Sequence, residues 1–298
     1  MSLFDHSLTI NHLPPTVLDS LYSTGSLPAI SLDLPVYPNQ ALLLKSYSNA
    51  SALCIVSSNG KEVKLLQTKF NLGGIQPRNK EQRVFCTHLS RKEVPLNISV
   101  GRAGSGKTLL ACAYALNSIL MNKEYESVVF TKPMYIVGGQ ELGAMPGGLD
   151  EKYSPYIISY LMQFTEILGE NGDPIIGGLI QRGKIKFLPI QLLRGVSFKK
   201  TLVIADEIQS LNQHEMKTLC TRIGEGSKLI LLGDIAQRDR SLPIQETGLY
   251  SLLSSKLILE SSLSSVVLMK QNERSQLVDL VESVFNVDRD YEDFGSSD

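Results

Sequence analysis

The sequence predicts an α/β protein in which a mostly parallel β-sheet carries helices on both faces and follows a small β-rich module. From residue 94 onward, short and continuously apolar runs alternate with helical patterns, and such runs are typical of parallel strands buried on both faces. A glycine-rich loop joins the first of these runs to a helical pattern. The segment before residue 80 is instead rich in Ser, Pro and Asn and contains apolar runs of strand length, which predicts the β-rich module.

The composition is that of an ordinary globular protein. The chain has 298 residues, of which 43% are apolar, so the composition excludes a disordered or fibrous protein. Its 29 Lys and Arg residues nearly balance 30 Asp and Glu residues, and the net charge of -1 creates no overall field that attracts nucleic acid or anionic lipid. A site for a polyanion must therefore be a local patch.

Cysteine spacing and the lengths of the apolar runs predict the compartment. None of the four cysteines belongs to a CxxC or Cys/His cluster with zinc-ligand spacing, which favours buried free thiols. The N-terminus has no basic region followed by an apolar stretch, and no segment approaches the ~20 apolar residues that span a bilayer. We therefore expect a soluble cytoplasmic protein with no membrane partner.

Turn-forming residues divide the first part of the chain. The Asn59-Gly60 pair separates the apolar residues 52–56 from residues 62–66 and predicts a β-hairpin. The Gly and Pro content of residues 71–78 predicts a linker. We expect three parts: a β-rich module with its linker over residues 1–76, the α/β domain over residues 77–287, and an acidic, frayed tail over residues 288–298.

Four predicted strands end next to residues that can carry chemistry. Parallel strands place their carboxyl ends at one edge of the sheet, and open α/β sheets bind ligands there. The four runs are residues 96–100 before the glycine-rich loop, 127–130 before Thr131-Lys132, 202–205 before Asp206-Glu207, and 229–232 before Gly233-Asp234.

The glycine-rich loop has the GxxxxGK[ST] pattern of a phosphate-binding loop. Glycines let successive backbone N–H groups turn toward phosphate oxygens, and the following helix presents its positive N-terminal end to the same anion. Lys107 should reach the β- and γ-phosphates of ATP, and the Thr108 hydroxyl should bind Mg²⁺. Chance agreement is disfavoured because a predicted strand precedes the loop and a predicted helix follows it. This phosphate loop consists of Gly101, Arg102, Ala103, Gly104, Ser105, Gly106, Lys107 and Thr108.

Two adjacent acids follow the third of these strands. Asp206 is predicted to hold the Mg²⁺ ion, and Glu207 to orient or deprotonate the attacking water. By itself, an Asp-Glu pair after a strand is more often a helix N-cap followed by a first-turn acid. The upstream phosphate loop reverses this preference and favours hydrolysis over binding alone.

Gln237 and Arg274 are the other candidate catalytic residues. Gln237 follows a buried strand, and its amide is able to sense a γ-phosphate or position water; a polar turn that closes the strand is the alternative. Arg274 precedes a helical pattern and is a candidate arginine finger, whereas on pattern alone such an arginine is more often a surface ion-pair partner. A finger that reaches the nucleotide of a neighbouring copy predicts a homo-oligomer such as a ring.

Together these residues resemble the PhoH-like family of ATPases, whose RecA-like P-loop NTPase fold is similar to the first motor domain of superfamily 1 helicases. The resemblance runs from about Pro77 to Phe285. It implies that Gln82 contacts the adenine base and that Lys132 contacts phosphate, as a point charge where the family usually has Arg. Ile208 stands where the family's DEAQ-type motif has a small residue. The other matching segments are residues 137–147, 151–156, 193–195, 206–209, 221–228, 233–237 and 273–275.

The resemblance implies an ATP hydrolase that uses Mg²⁺ and couples turnover to unwinding or remodelling of RNA or other single-stranded nucleic acid. One alternative is an ATP-binding regulatory or scaffolding module in which slow hydrolysis switches conformation. The β-rich module has two interpretations as well, as a single-stranded nucleic-acid binder or as a packing and assembly element. Longer relatives carry a PIN nuclease domain upstream, but residues 1–35 show no spaced carboxylates for its metals, so nuclease activity is not implied.

Overall fold

The computed structural model contains two β-sheets and the helices that pack on them. It describes residues 6–66, 69–70, 72–133, 149–169, 172–235, 237, 242–270 and 284. None of the helices in these ranges is long and apolar enough to cross a bilayer.

The N-terminal module is a mixed sheet with one helix packed against it. Its elements are β1 (Ser7–Leu13), α1 (Pro15–Thr24), β2 (Ser26–Pro28), β3 (Ala41–Ser46), β4 (Ser51–Val56) and β5 (Glu62–Leu65). The strand order is β1-β3-β4-β5-β2, with β1 and β3 parallel and the other neighbours antiparallel. α1 begins at a proline, whose missing N–H costs nothing there, and ends before Gly25 in the left-handed conformation. Leu42 and Leu44 of β3 pack with Leu18 and Leu21 of α1 in a small core.

The predicted β-hairpin is confirmed at β4 and β5. The Ser57 N–H donates to the Glu62 carbonyl at 2.8 Å and closes the turn. Gly60 adopts φ 73°, a left-handed conformation that costs glycine little. Asn59 Oδ1 accepts a hydrogen bond from the Lys61 N–H at 3.0 Å, so the Asn-Gly pair shapes the turn as its sequence indicates.

Within the described part of the chain, the central sheet contains six strands, all of them parallel. They are β6 (Leu96–Gly101), β7 (Ser127–Thr131), β8 (Ile185–Phe187), β9 (Thr201–Ala205), β10 (Lys228–Gly233) and β11 (Ser264–Met269). Their order is β11-β6-β10-β9-β7-β8. β6, which leads into the phosphate loop, therefore lies between β10 and β11, inside the sheet.

Helices cover both faces of this sheet. They are α2 (Lys80–Ser90), α3 (Lys107–Leu120), α4 (Leu149–Leu168), α5 (Gly172–Gln181), α6 (Gln213–Cys220), α7 (Gly248–Leu253) and α8 (Lys256–Leu259). In β7, Val128 and Phe130 belong to the core under α2–α5, whereas Val129 belongs to the core under α6 and α7. This alternation follows from the opposite directions of neighbouring side chains in a strand. The predicted α/β class, with a β-rich module before a parallel sheet, is confirmed.

The N-terminal module packs against the domain of the central sheet. Ala41 and Ile55 belong to the same hydrophobic core as α2–α5. The Asn39 side chain donates to the carbonyls of Ser262 at 3.1 Å and Ser264 at 2.7 Å, at the beginning of β11. One hydrophobic core contains residues from both sides of the predicted domain boundary between residues 76 and 77. The boundary therefore stays a prediction.

The cysteines are free thiols in the described structure. Cys54, Cys86 and Cys112 are buried, and Cys220 is partly buried. Burial raises the pKa of Cys54 and of Cys86 to about 12, so both remain protonated and unreactive at neutral pH. The prediction of buried free thiols is confirmed for the first three.

A buried lysine holds the C-terminal end of α2. Lys228 is 1% exposed, and its Nζ donates to the carbonyls of His88 at 3.2 Å, Leu89 at 2.6 Å and Arg91 at 2.9 Å. These carbonyls belong to the end of the helix, where the regular pattern of intrahelical N–H partners stops. The N-terminal end of the same helix carries Gln82, so this lysine fixes an element that reaches the phosphate loop.

Replacing Lys228 with methionine is expected to destabilise the fold. The variant leaves three carbonyl oxygens without this donor, at a cost of about 3 kcal/mol, which corresponds to a melting temperature about 5–10 °C lower. Differential scanning calorimetry measures the shift, with Lys199→Met, at an exposed position, as the matched control. Equal melting temperatures for the two variants would contradict the anchoring role.

Candidate functional site

A cavity of about 680 Å³ opens at the carboxyl ends of the central strands. Its size falls within the range of small-molecule and cofactor sites. The phosphate loop forms one wall and the segments after β9 and β10 form another. Lining residues include Ala103, Gly104, Gly106, Lys107, Thr108, Asp206, Glu207, Gly233, Asp234 and Gln237.

Two glycines give the phosphate loop its shape. Gly104 and Gly106 have φ values of 81° and 87°, in the left-handed region that favours glycine. Gly106 also approaches another side chain closely, because a Cβ there would lie 2.8 Å from Gln82 Nε2. The loop passes directly into α3, so the N-terminal end of that helix lines the cavity, as in anion sites.

Lys107 lies inside the curve of the phosphate loop. Its Nζ donates to the carbonyls of Gly101 at 2.5 Å and Arg102 at 2.8 Å, and to Ser105 Oγ at 3.2 Å. The side chain is 8% exposed and lines the cavity. The loop itself therefore positions the ammonium group where a phosphate oxygen held by the loop can accept from it.

Thr108 and Asp206 meet at the base of the cavity. Thr108 Oγ1 donates to Asp206 Oδ2 at 3.0 Å, although the residues lie 98 positions apart. A hydroxyl and a carboxylate oxygen at this separation suit Mg²⁺, which takes oxygen ligands from one or two side chains and the rest from phosphates and water. The described residues contain no group of three or more His, Cys, Asp or Glu that could hold an ion by themselves, so the pair fits a shared nucleotide–metal site.

The carboxyl of Asp206 has an unusual environment. Burial raises its pKa, and the neighbouring Glu207 carboxylate raises it further. Lys132, the Thr108 hydroxyl and Lys107 act in the opposite direction. A divalent cation beside Asp206 would favour its charged form, so this environment is suited to a positive ligand.

Glu207 projects into the cavity from a strained backbone position. Its φ of 58° and ψ of 36° lie in the left-handed region, which is uncommon for residues other than glycine. The Glu207 N–H donates to Asp206 Oδ1 at 2.9 Å, and Glu207 Oε2 accepts from Gln209 Nε2 at 2.7 Å. The first bond holds the Glu207 backbone, and the second orients its carboxylate next to the predicted metal ligand.

The Gln82 side chain is hydrogen-bonded to the phosphate loop. Its Oε1 accepts from the Arg78 N–H at 2.7 Å, and its Nε2 donates to the Ser105 carbonyl at 3.0 Å. The side chain lines the cavity but is only 4% exposed. The base contact that the resemblance implies for Gln82 stays a prediction, whereas its contact with the loop is a feature of the structure.

The remaining candidates lie in different places. Lys132 Nζ donates to Ser159 Oγ at 3.0 Å and lies 5.0 Å from the centre of the Tyr160 ring. Lys132 is not among the described residues of the cavity wall. The phosphate contact of Lys132 stays a prediction. Gln237 lines the cavity. Arg274 and the segment 137–147 lie outside the described residues.

Several cavity residues were missed by the sequence analysis. Gln163 and Glu166 of α4 line the wall, as do Gly74, Ile75, Gln76 and Pro77. The only sequence signal for Gln163 and Glu166 is their position on the helix. Gln163 is a polar residue within the apolar face formed by Tyr160 and Phe164. Gln209, which bonds to Glu207, had a clearer signal because it belongs to the matching segment 206–209.

Comparisons with known proteins agree on one family. The family model described as "PhoH-like protein" matches residues 74–286. The protein PhoH2 of Mycolicibacterium smegmatis is 31% identical over 265 residues, which cover 89% of this chain and 59% of that protein. PhoH2 of Bacillus subtilis is 36% identical over 210 residues, or 68% of this chain and 47% of that protein. The chain thus spans about half the length of these curated relatives.

Solved structures are more distant. The crystal structure of the Pif1 helicase from Candida albicans is 17% identical and matches 71% of this chain and 44% of its own length, with a TM-score of 0.37. A structure of a Bacteroides Pif1 bound to single-stranded DNA matches 71% of this chain and 46% of its own length at 16% identity, with a TM-score of 0.34. Scores this low support no functional inference.

Proposed function

Since the chain belongs to the PhoH-like protein family, we propose that it binds ATP with Mg²⁺ at the phosphate loop and hydrolyses the γ-phosphate bond. The observation that carries this proposal is the contact between Thr108 and Asp206 at 3.0 Å, beside the Glu207 carboxylate in the cavity wall. A site that only binds nucleotide needs the loop and the metal ligands. The adjacent, separately oriented carboxylate supplies a base for water.

Each group has a defined task in this proposal. The loop N–H groups and Lys107 hold the β- and γ-phosphates. Thr108 and Asp206 would hold Mg²⁺, which supplies charge neutralisation for the phosphates. Glu207 orients a water molecule in line with the γ-phosphate and accepts its proton as the new P–O bond forms and ADP leaves. Gln237, which also lines the cavity, contacts the γ-phosphate or the same water.

We also propose that turnover is coupled to single-stranded RNA or DNA. The support is the family resemblance of the motifs from Gln82 to Glu273-Arg274-Ser275. The net charge of -1 restricts such binding to a local patch rather than to the whole surface. Arg274 from a neighbouring copy would complete the nucleotide site, so the proposal includes a homo-oligomer such as a ring.

One experiment tests all three parts. ATP turnover is measured with and without Mg²⁺, during titration with single-stranded RNA and DNA, alongside the molecular mass with and without nucleotide. We expect Mg²⁺-dependent turnover, a higher rate with one of the two strands, and a mass at least twice the 32.8 kDa of one chain. Tight ATP binding with persistent inactivity would contradict hydrolysis and favour a nucleotide-controlled conformational switch.

A further inference from the structure

We propose that Gln209 is a positioning residue that holds the Glu207 carboxylate and links it to the segment that follows β10. This inference rests on the proposed hydrolysis. Gln209 lies in the short 3₁₀ helix Ile208–Ser210, directly after Glu207, and is 2% exposed. It is not among the described residues of the cavity wall, so it acts on the nucleotide through its neighbours.

The Gln209 amide joins the segment after β9 to the segment after β10. Its Nε2 donates to Glu207 Oε2 at 2.7 Å and to the Gln237 carbonyl at 2.8 Å. Its Oε1 accepts from the Asp234 N–H at 3.1 Å. Glu207 follows β9, whereas Asp234 and Gln237 follow β10, and all three residues line the cavity.

Only a primary amide satisfies this set of partners. Two of them are acceptors and need N–H donors, and the third is a donor that needs an acceptor. A carboxylate at this position would place a second negative oxygen against Glu207, and a hydrocarbon would make none of the three bonds. The residue type therefore matches its three partners.

Close packing limits how far the Gln209 amide can move. A Cβ at Gly233, the last residue of β10, would lie 3.4 Å from Gln209 Oε1 and 3.1 Å from Ile208 Cγ1. The side chain thus fills the space between the ends of β9 and β10. A displacement of the segment 234–237 by a ligand changes the position of the amide and, through the 2.7 Å bond, the direction of the Glu207 carboxylate.

A purely structural role of Gln209 predicts different properties for its variants than a positioning role does. A buried amide that merely satisfies backbone groups supports the fold, and its loss lowers stability and nucleotide affinity together. A positioning role requires that the loss of turnover depend on the Glu207 carboxylate. A double-mutant cycle measures this dependence.

The experiment combines Gln209→Glu with Glu207→Gln in the full chain. With Glu207 present, we expect Gln209→Glu to lower kcat about 100-fold while the Kd for ATP with Mg²⁺ stays within about threefold. In the Glu207→Gln background we expect no further fall in the residual single-turnover rate, because the carboxylate on which Gln209 acts is gone. Gln245→Glu makes the same chemical change at an exposed position and should leave kcat unchanged.

Equal fold-losses in the two backgrounds, or a loss of ATP affinity that matches the loss of kcat, would overturn the positioning role. Should Gln209→Glu fail to fold, Gln209→Met is used in the same cycle, since it adds no second carboxylate. A wild-type chain without ATP turnover refutes the proposed function itself. If the wild type hydrolyses ATP and the Gln209 variants do so at the same rate, only this inference is refuted.

Discussion

Replacing Glu207 with glutamine is expected to abolish ATP turnover and leave ATP binding intact. The amide keeps the size of the carboxylate but accepts no proton from the attacking water, and the loss of such a base costs about 10²–10⁴-fold in rate. The phosphates and the metal are held by Lys107, Thr108 and Asp206, which the change does not touch. Phosphate release and equilibrium binding of ATP are measured on the same preparation.

Glu166→Gln is the matched control for this variant. It removes a carboxylate from the same cavity, but from α4 rather than from the end of β9. Turnover should therefore stay within about threefold of the wild type, since no group that contacts the γ-phosphate is altered. Unchanged turnover in Glu207→Gln would refute the role assigned to Glu207 as base.

Replacing Lys107 with methionine should remove tight ATP binding. The ammonium group is the positive charge at the centre of the phosphate loop, with acceptors at 2.5–3.2 Å on the loop itself. Losing its charge-assisted bonds to the phosphates costs about 3 kcal/mol, or about 100-fold in Kd. Isothermal titration with ATP and Mg²⁺ measures the loss, and turnover should disappear at concentrations that saturate the wild type.

Lys132→Met distinguishes a specific loss from the general effect of removing a buried lysine. Lys132 is 9% exposed and Lys107 is 8% exposed, but the Lys132 ammonium donates to Ser159 on α4. We expect the Kd for ATP to change by less than about threefold in this variant, with melting temperatures recorded for both. A loss of affinity as large as that of Lys107→Met would establish the phosphate contact that the family resemblance implies for Lys132.

Local features of the site could be predicted because neighbouring residues create them. The phosphate loop needs only its own glycines, and Gly104 and Gly106 adopt the left-handed conformations that their residue type permits. The hairpin depends in the same way on Asn59 and Gly60. The continuously apolar strands predicted a parallel sheet. A parallel sheet places the residues after β6, β9 and β10 at one edge, and these residues line the cavity there.

The sequence by itself therefore determined the family, the α/β class, the phosphate loop and the edge of the sheet where its partners gather. Only the tertiary structure decided which of these residues touch: Thr108 with Asp206, Gln82 with Ser105, and Gln209 with Glu207 and Gln237. It also turned Lys132 toward α4 and added Gln163 and Glu166 to the cavity wall. The physical reason is that a hydrogen bond requires a separation near 3 Å, and strand order and core packing set that separation between residues distant in the chain.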